Sequence, residues 1–120
     1  QAFAEDAFKF LDTMGDQYDL IILDPPAFAK HKKVLNNALQ GYRKLNAKAF
    51  EKIRPGGILF TFSCSQVVSK ENFRLAVFSA AAQSGRNIRI LHQLTQPADH
   101  PVNIYHPEGE YLKGLVLYVE

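Results

Sequence analysis

The sequence predicts an α/β domain with a mostly parallel sheet and an antiparallel last strand pair. Short continuous apolar runs, Tyr18 to Leu23 and Ile58 to Phe62, are separated by a long stretch of helical period, the alternation expected of strand-helix-strand units. Proline and glycine punctuate that alternation at Asp24-Pro25-Pro26, at Pro55-Gly56-Gly57 and at Gly85. Nothing of helical period lies between the last two strand candidates, Ile88 to Leu94 and Leu115 to Val119. Parallel neighbours need a crossover, usually a helix, so that pair is expected to be antiparallel.

Taken in order, Gln1 to Ala4 reads as the end of a clipped strand, followed by a short helix from Ala7 to Leu11. Tyr18 to Leu23 is a buried strand stopped by Pro25 and Pro26, since proline has no amide for a sheet ladder. From Val34 to Arg54 the apolar positions Leu35, Leu39, Tyr42, Leu45, Ala49 and Ile53 recur at three and four residues, the period of an amphipathic helix. Pro55 ends it, and Gly56 and Gly57 turn into the strand Ile58 to Phe62, with Ser63, Cys64 and Ser65 at its tip. Ser69 is a good N-cap for a helix from Lys70 to Ser84, and Gly85 a good stop. Ile88, Ile90, His92 and Leu94 alternate as a third strand. The segment Thr95 to Lys113, with Pro97, Pro101 and Pro107, is a long loop, and its length makes it a functional candidate.

Composition narrows the class. With 120 residues, 47% hydrophobic and 22% charged, the chain can bury a core as one domain without disulfides and is not intrinsically disordered. The longest apolar runs fall far short of the roughly 18 to 20 residues of a bilayer-spanning helix, so no membrane partner is expected. A net charge of +2 is compatible with a nucleic-acid partner without arguing for one. Cys64 is the only cysteine, which leaves no disulfide framework and suits a reducing compartment, the cytoplasm. The chain opens at Gln1 inside an apolar stretch and reads as a piece of a longer protein.

In an open parallel sheet, ligands bind beyond the carboxyl ends of the strands, where Asp24-Pro25-Pro26-Ala27-Phe28 and Ser63-Cys64-Ser65 fall. If the two strands are neighbours, a carboxylate and a thiol share one cleft. The Asp-Pro-Pro turn could simply end a strand. As a site, its rigidity would let Asp24 hold a planar substrate edge at little entropic cost, with Phe28 near enough to stack on a ring. Cys64 could be a small buried hydrophobe or, between two serines at a strand tip, an activated nucleophile. Lys30, His31, Lys32 and Lys33 form a basic run that could steer phosphates. Asp99, His100 and His106 match no standard ligand spacing, so no metal is expected.

These residues resemble the C-terminal part of a class I S-adenosylmethionine-dependent methyltransferase, a Rossmann-like sheet. The resemblance rests on Glu5-Asp6-Ala7, on Tyr18-Asp19 leading to Asp24-Pro25-Pro26, and on Arg54-Pro55-Gly56-Gly57. Asp24-Pro25-Pro26-Ala27-Phe28, Thr61-Phe62-Ser63-Cys64-Ser65, Ala98-Asp99-His100-Pro101 and Pro107-Glu108-Gly109 through Tyr111-Leu112-Lys113-Gly114 resemble, more closely, the large-subunit ribosomal RNA cytosine-C5 methyltransferase family. The resemblance implies a partial catalytic domain over residues 1–120, lacking the N-terminal cofactor-binding half and inactive alone. It also implies S-adenosylmethionine as cofactor and ribosomal RNA as partner. Cys64 would be the nucleophile that adds to C6 of cytosine, and Asp24 would bond or protonate the ring at N3. Pro25, Pro26, Phe28 and Lys30 would form the substrate side, and Asp6, Ala7 and Asp24 the cofactor side. Two other readings stay open: an amino-group methyltransferase acting on adenine or guanine, which needs no cysteine, and a non-catalytic RNA- or partner-binding chain. An uncovered edge at Tyr18 to Leu23 predicts self-association.

Overall fold

The computed structural model describes residues 1–15, 18–28 and 32–120. A short helix α1 (Ala7–Thr13) precedes strand β1 (Leu20–Leu23), and a 3-10 turn (Lys32–Val34) leads into helix α2 (Leu35–Lys52). Strand β2 (Gly57–Ser63), helix α3 (Lys70–Ser84) and strand β3 (Ile88–Leu94) follow, then a second 3-10 turn (Pro107–Gly109) and strand β4 (Lys113–Val119). The sheet order is β1-β2-β4-β3. β1 and β2 are parallel, and β4 inserts between β2 and β3, antiparallel to both. No helix among the described residues is long and apolar enough to cross a membrane.

Alternation of side chains along β2 sets the two faces of the sheet. Leu59, Thr61 and Ser63 are buried, while Ile58, Phe60 and Phe62 between them are half-buried. The buried face joins Leu117 and Val119 of β4 to Tyr42, Leu45, Ala49 and Phe50 of α2 and to Phe73, Val77 and Ala80 of α3 in one core. The helix ends are sealed as the sequence suggests. Ser69 Oγ accepts the Asn72 N–H at 3.1 Å, and Gly85 closes α3 in the left-handed region at φ 69°, where a side chain would be strained. Arg86 Nη1 donates to the carbonyls of Phe50 and Ile53, each at 2.6 Å, so a cation meets the carboxyl end of α2. Lys48 pairs with Asp12 and ties α1 to α2.

Three expectations are corrected. Gln1 to Ala4 form no strand; they are exposed, and only the Phe3 ring leans on Phe10, with centroids 5.5 Å apart. A strand exists through its pairing, and among the described residues nothing pairs with this segment. β1 is four residues long rather than six, although Tyr18 and Asp19 still accept bonds from the amides of Arg54 and Ile58. In β3 the register shifts between Ile90 and His92. Ile90 then lies opposite Leu117 and His92 opposite Val116, on opposite faces.

β1 is an edge strand with Leu20 54% and Ile22 60% exposed. Open ladder groups beside exposed aliphatic side chains template pairing with another chain. The 120-residue chain alone is therefore expected to be a dimer or larger. Light scattering across a concentration series checks this, and a constant monomer mass would count against it.

Candidate active site at the strand tips

Leu23 at the end of β1 pairs with Thr61 of β2 in parallel register. Neighbouring strands lie about 4.8 Å apart, so Asp24, one residue past Leu23, and Cys64, just past the end of β2, leave the sheet at the same edge. Asp24 and Pro26 are exposed; Pro25 and Cys64 are half-buried, and the thiol is free. The structure thus brings the expected carboxylate and thiol to the same edge of the sheet.

Tyr42 holds the two tips together. It is fully buried on α2, and its phenol oxygen accepts the Ser63 hydroxyl at 2.9 Å and a backbone hydrogen bond from Phe28. Its ring meets Phe28 edge-on, with centroids 4.7 Å apart, and Phe73 of α3 at 5.5 Å. Burial raises the phenol's pKa above the usual value; the bonds from Ser63 and Phe28 oppose the rise and the nearby Cys64 adds to it. The group stays a neutral phenol at physiological pH, and one side chain spans the turn after β1 and the tip of β2.

From the other side the tip is held by Lys113. This lysine opens β4 opposite Ser63, is 8% exposed, and donates from Nζ to the Ser65 carbonyl at 2.5 Å. The same carbonyl accepts the Val68 N–H at 3.3 Å. Burial lowers the lysine's pKa and the neighbouring Cys64 opposes that shift. Next to it, Gly114 is required because a Cβ there would stand 2.6 Å from the Phe62 ring across the ladder. The loop before β4 is fastened to the same corner. Gln66 Nε2 donates to the Glu108 carbonyl at 2.7 Å, and Gln96 Oε1 accepts the N–H of Tyr111 at 2.8 Å.

Of the other sequence-derived candidates, Asp6 is the N-cap of α1, exposed, its Oδ1 accepting the Lys9 N–H at 3.1 Å. Ala7 is the exposed first residue of that helix. Phe28 is half-buried, and its contacts with Tyr42 and Gly41 pin the turn to α2. Lys30 lies outside the described residues, as does His31. Sequence reading missed Tyr42 and Lys113 as parts of the candidate site, taking one for a core helix position and the other for the end of the long loop before the last strand. A signal existed for each: a tyrosine on an apolar helix face needs a partner for its hydroxyl, and a lysine starting an apolar strand needs one for its ammonium. A groove of about 450 Å³ runs along β1 between Phe10, Leu11 and Met14 and the strand, and includes neither Asp24 nor Cys64. It lies beside β1, which has no partner on that side among the described residues, and Ala7 is part of its lining.

No family model matches the chain. In sequence it is 47% identical over 116 residues to the ribosomal RNA large subunit methyltransferase I of Tolumonas auensis, a match covering 94% of this chain and 29% of that protein. It is 44% identical over 120 residues to the protein of the same name from Aeromonas hydrophila, covering 98% and 30%. The chain therefore spans about 30% of the length of these curated relatives. In fold it matches a Streptococcus mutans protein described as a candidate SAM-dependent methyltransferase, with TM-score 0.75 and 20% identity over 96% of this chain and 30% of that one. A candidate methyltransferase solved in complex with S-adenosylhomocysteine matches with TM-score 0.72 and 24% identity over 98% of this chain and 30% of that one. Over nearly its whole length, then, the chain is similar in sequence to the ribosomal RNA large subunit methyltransferase I proteins and in fold to S-adenosylmethionine-dependent methyltransferases.

Proposed function

We propose that the protein carrying this chain methylates large-subunit ribosomal RNA with S-adenosylmethionine, at C5 of a cytosine, in the cytoplasm. The observation that carries the reading is that Asp24 and Cys64 leave the sheet at the same edge, where Tyr42 bonds both Phe28 in the turn after β1 and Ser63 at the end of β2. The names of the relatives support the substrate class. The residues present also fit the adenine side of the cofactor. Asp6 spends Oδ1 on the Lys9 N–H and remains exposed, and a carboxylate has further lone pairs for an adenine amino group. Asp24 is exposed at the strand tip, and Ala7 leaves the approach to Asp6 unobstructed by a long side chain.

When bound, S-adenosylmethionine supplies an electrophilic methyl group. Carbon-5 of cytosine is a poor nucleophile, and the Cys64 thiolate corrects this by forming an S–C6 bond while the electron pair of the C5–C6 bond moves toward C5. Asp24, acting as a carboxylic acid, donates its proton to N3, which relieves the negative charge that develops in the ring, and takes it back when the adduct breaks down. Pro25 and Pro26 keep the turn stiff, so the ring edge meets a carboxyl group already in place. After transfer, a base takes the C5 proton and the S–C6 bond breaks, returning the thiolate.

RNA bearing 5-fluorocytosine tests the reading, because fluorine at C5 leaves no proton for that base to remove and the adduct persists. With the complete protein, a denaturant-stable protein-RNA adduct at Cys64 is expected, mapped by mass spectrometry. A methyl group found on an exocyclic amine of adenine or guanine, with no adduct, would support the amino-group reading instead.

A further inference from the structure

We infer that the loop from Thr95 to Leu112, between β3 and β4, is an RNA-docking element in which the exposed Tyr105 ring stacks on an unpaired base near the target nucleotide. The inference rests on the reading of ribosomal RNA as substrate and adds to it a residue that grips the RNA. Topology puts the loop in place. Leu23 pairs with Thr61, Ser63 with Lys113, and Leu94 with Gly114, so β3 ends and β4 begins at the edge of the sheet from which Asp24 and Cys64 emerge. The loop therefore starts and finishes beside the candidate site. Gln66, two residues after Cys64, donates from Nε2 to the Glu108 carbonyl at 2.7 Å and fastens the loop to the segment that carries the thiol.

The loop is held in shape by its own side chains. Gln96 closes its base: Oε1 accepts the amides of Tyr111 and Leu112 at 2.8 and 3.3 Å, and Nε2 donates to the His100 carbonyl at 3.1 Å. At the tip, Asn103 Oδ1 accepts the Tyr105 N–H and the Asn103 carbonyl accepts the His106 N–H, each at 2.9 Å. A surface formed in advance loses little entropy when a ligand settles on it. What this one offers is apolar. Ile104 and Tyr105, 89% and 85% exposed, are the most exposed large apolar side chains among the described residues. No lysine or arginine lies between Thr95 and Leu112, so the loop is not built to hold phosphates. Its carboxylates flank the tip in sequence, each beside a basic group: Asp99 is 3.4 Å from His100, Glu108 3.2 Å from His106 and Glu110 3.9 Å from Lys70. An uncharged tip with an open aromatic ring suits the face of a base, and unpaired bases in RNA are commonly bound by stacking on such rings. A protein partner would also cover Ile104 and Tyr105, but the loop's place at the edge that holds Asp24 and Cys64 favours the RNA.

Tyr105→Ala in the complete protein is expected to weaken binding of a protein-free transcript of large-subunit ribosomal RNA about tenfold in filter binding, the scale of one lost base-aromatic stack. The KM for that transcript in methyl transfer should rise alike while kcat holds. Tyr105→Phe keeps the ring and should behave as wild type. Because the ring neutralises no phosphate, the plot of log Kd against log salt should move without changing slope. A ring so exposed carries little of the fold, so the unfolding midpoint of Tyr105→Ala should stay in place. Wild-type affinity in Tyr105→Ala would overturn the inference and leave the tip to a protein partner. An equal loss in Tyr105→Phe, or a flatter salt slope, would overturn the stacking role. Failure of the underlying reading shows differently: wild-type protein that does not bind the transcript ends both, whereas wild-type binding that Tyr105→Ala leaves untouched ends this inference alone.

Discussion

Cys64→Ala in the complete protein is expected to lower single-turnover methyl transfer by about a thousandfold or more, the scale of removing a covalent nucleophile. That corresponds to at least about 4 kcal/mol of barrier. The substitution removes one sulfur from a half-buried, free thiol, so the fold should change little and the loss belongs to chemistry. Transfer of labelled methyl to RNA, with the unfolding midpoint of the variant measured alongside, checks both halves of the statement. A variant retaining a tenth or more of wild-type transfer would end the role of Cys64 as nucleophile. Asp24 is a useful internal comparison. Asp24→Asn keeps the shape of an exposed side chain but has no proton to transfer to N3, so it should slow transfer while leaving the adduct with 5-fluorocytosine detectable; Cys64→Ala should abolish that adduct.

Which parts of this site could be read from sequence follows from how local each determinant is. The Asp-Pro-Pro stop, the Ser69 cap and the Gly85 stop act within one turn of chain, so the tip of β1 and the bounds of α3 fall where the sequence puts them, and β2 ends one residue beyond its expected Phe62. The antiparallel relation of β3 and β4 was legible because a loop of that composition holds no crossover helix. That β4 slides between β2 and β3 was not, since alternation assigns a residue to a face and says nothing of its neighbour strand. The bulge between Ile90 and His92 defeated alternation itself. Cys64 and Asp24 stood out as chemistry-bearing types at strand ends, whereas the roles of Tyr42 and Lys113 depend on Ser63, Phe28 and Ser65, partners that only the folded chain supplies.

Tyr42 carries the largest expected effect on stability. Its ring is fully buried between Phe28 and Phe73, and deleting such a ring typically costs about 3 to 5 kcal/mol through lost transfer energy and the cavity left behind. Tyr42→Ala should therefore approach the whole stability of a small domain, roughly 5 to 15 kcal/mol, and free both strand tips at once. Tyr42→Phe separates the hydroxyl from the ring. It keeps both edge-on contacts, removes the acceptor of the Ser63 hydroxyl, and should cost about 1 kcal/mol. The pH dependence identifies the cause. A folded-state pKa raised above 10.0 means that the protonated phenol is the favoured form in the native state. Its contribution is fully present below pH 10 and is lost as pH rises from there through the folded value, because the unfolded chain gives up the proton first. The lowered pKa of Lys113 acts in the opposite sense, stability rising with pH toward 10.5, but it is common to both proteins and cancels in their difference. Urea unfolding of wild type and Tyr42→Phe in parallel should therefore give stabilities that differ most at neutral pH and converge above pH 10. A gap that stays constant into alkali would show that the phenol proton is not what the buried corner selects, and a cost below about 1 kcal/mol for Tyr42→Ala would mean that the two tips are held together by something other than this residue.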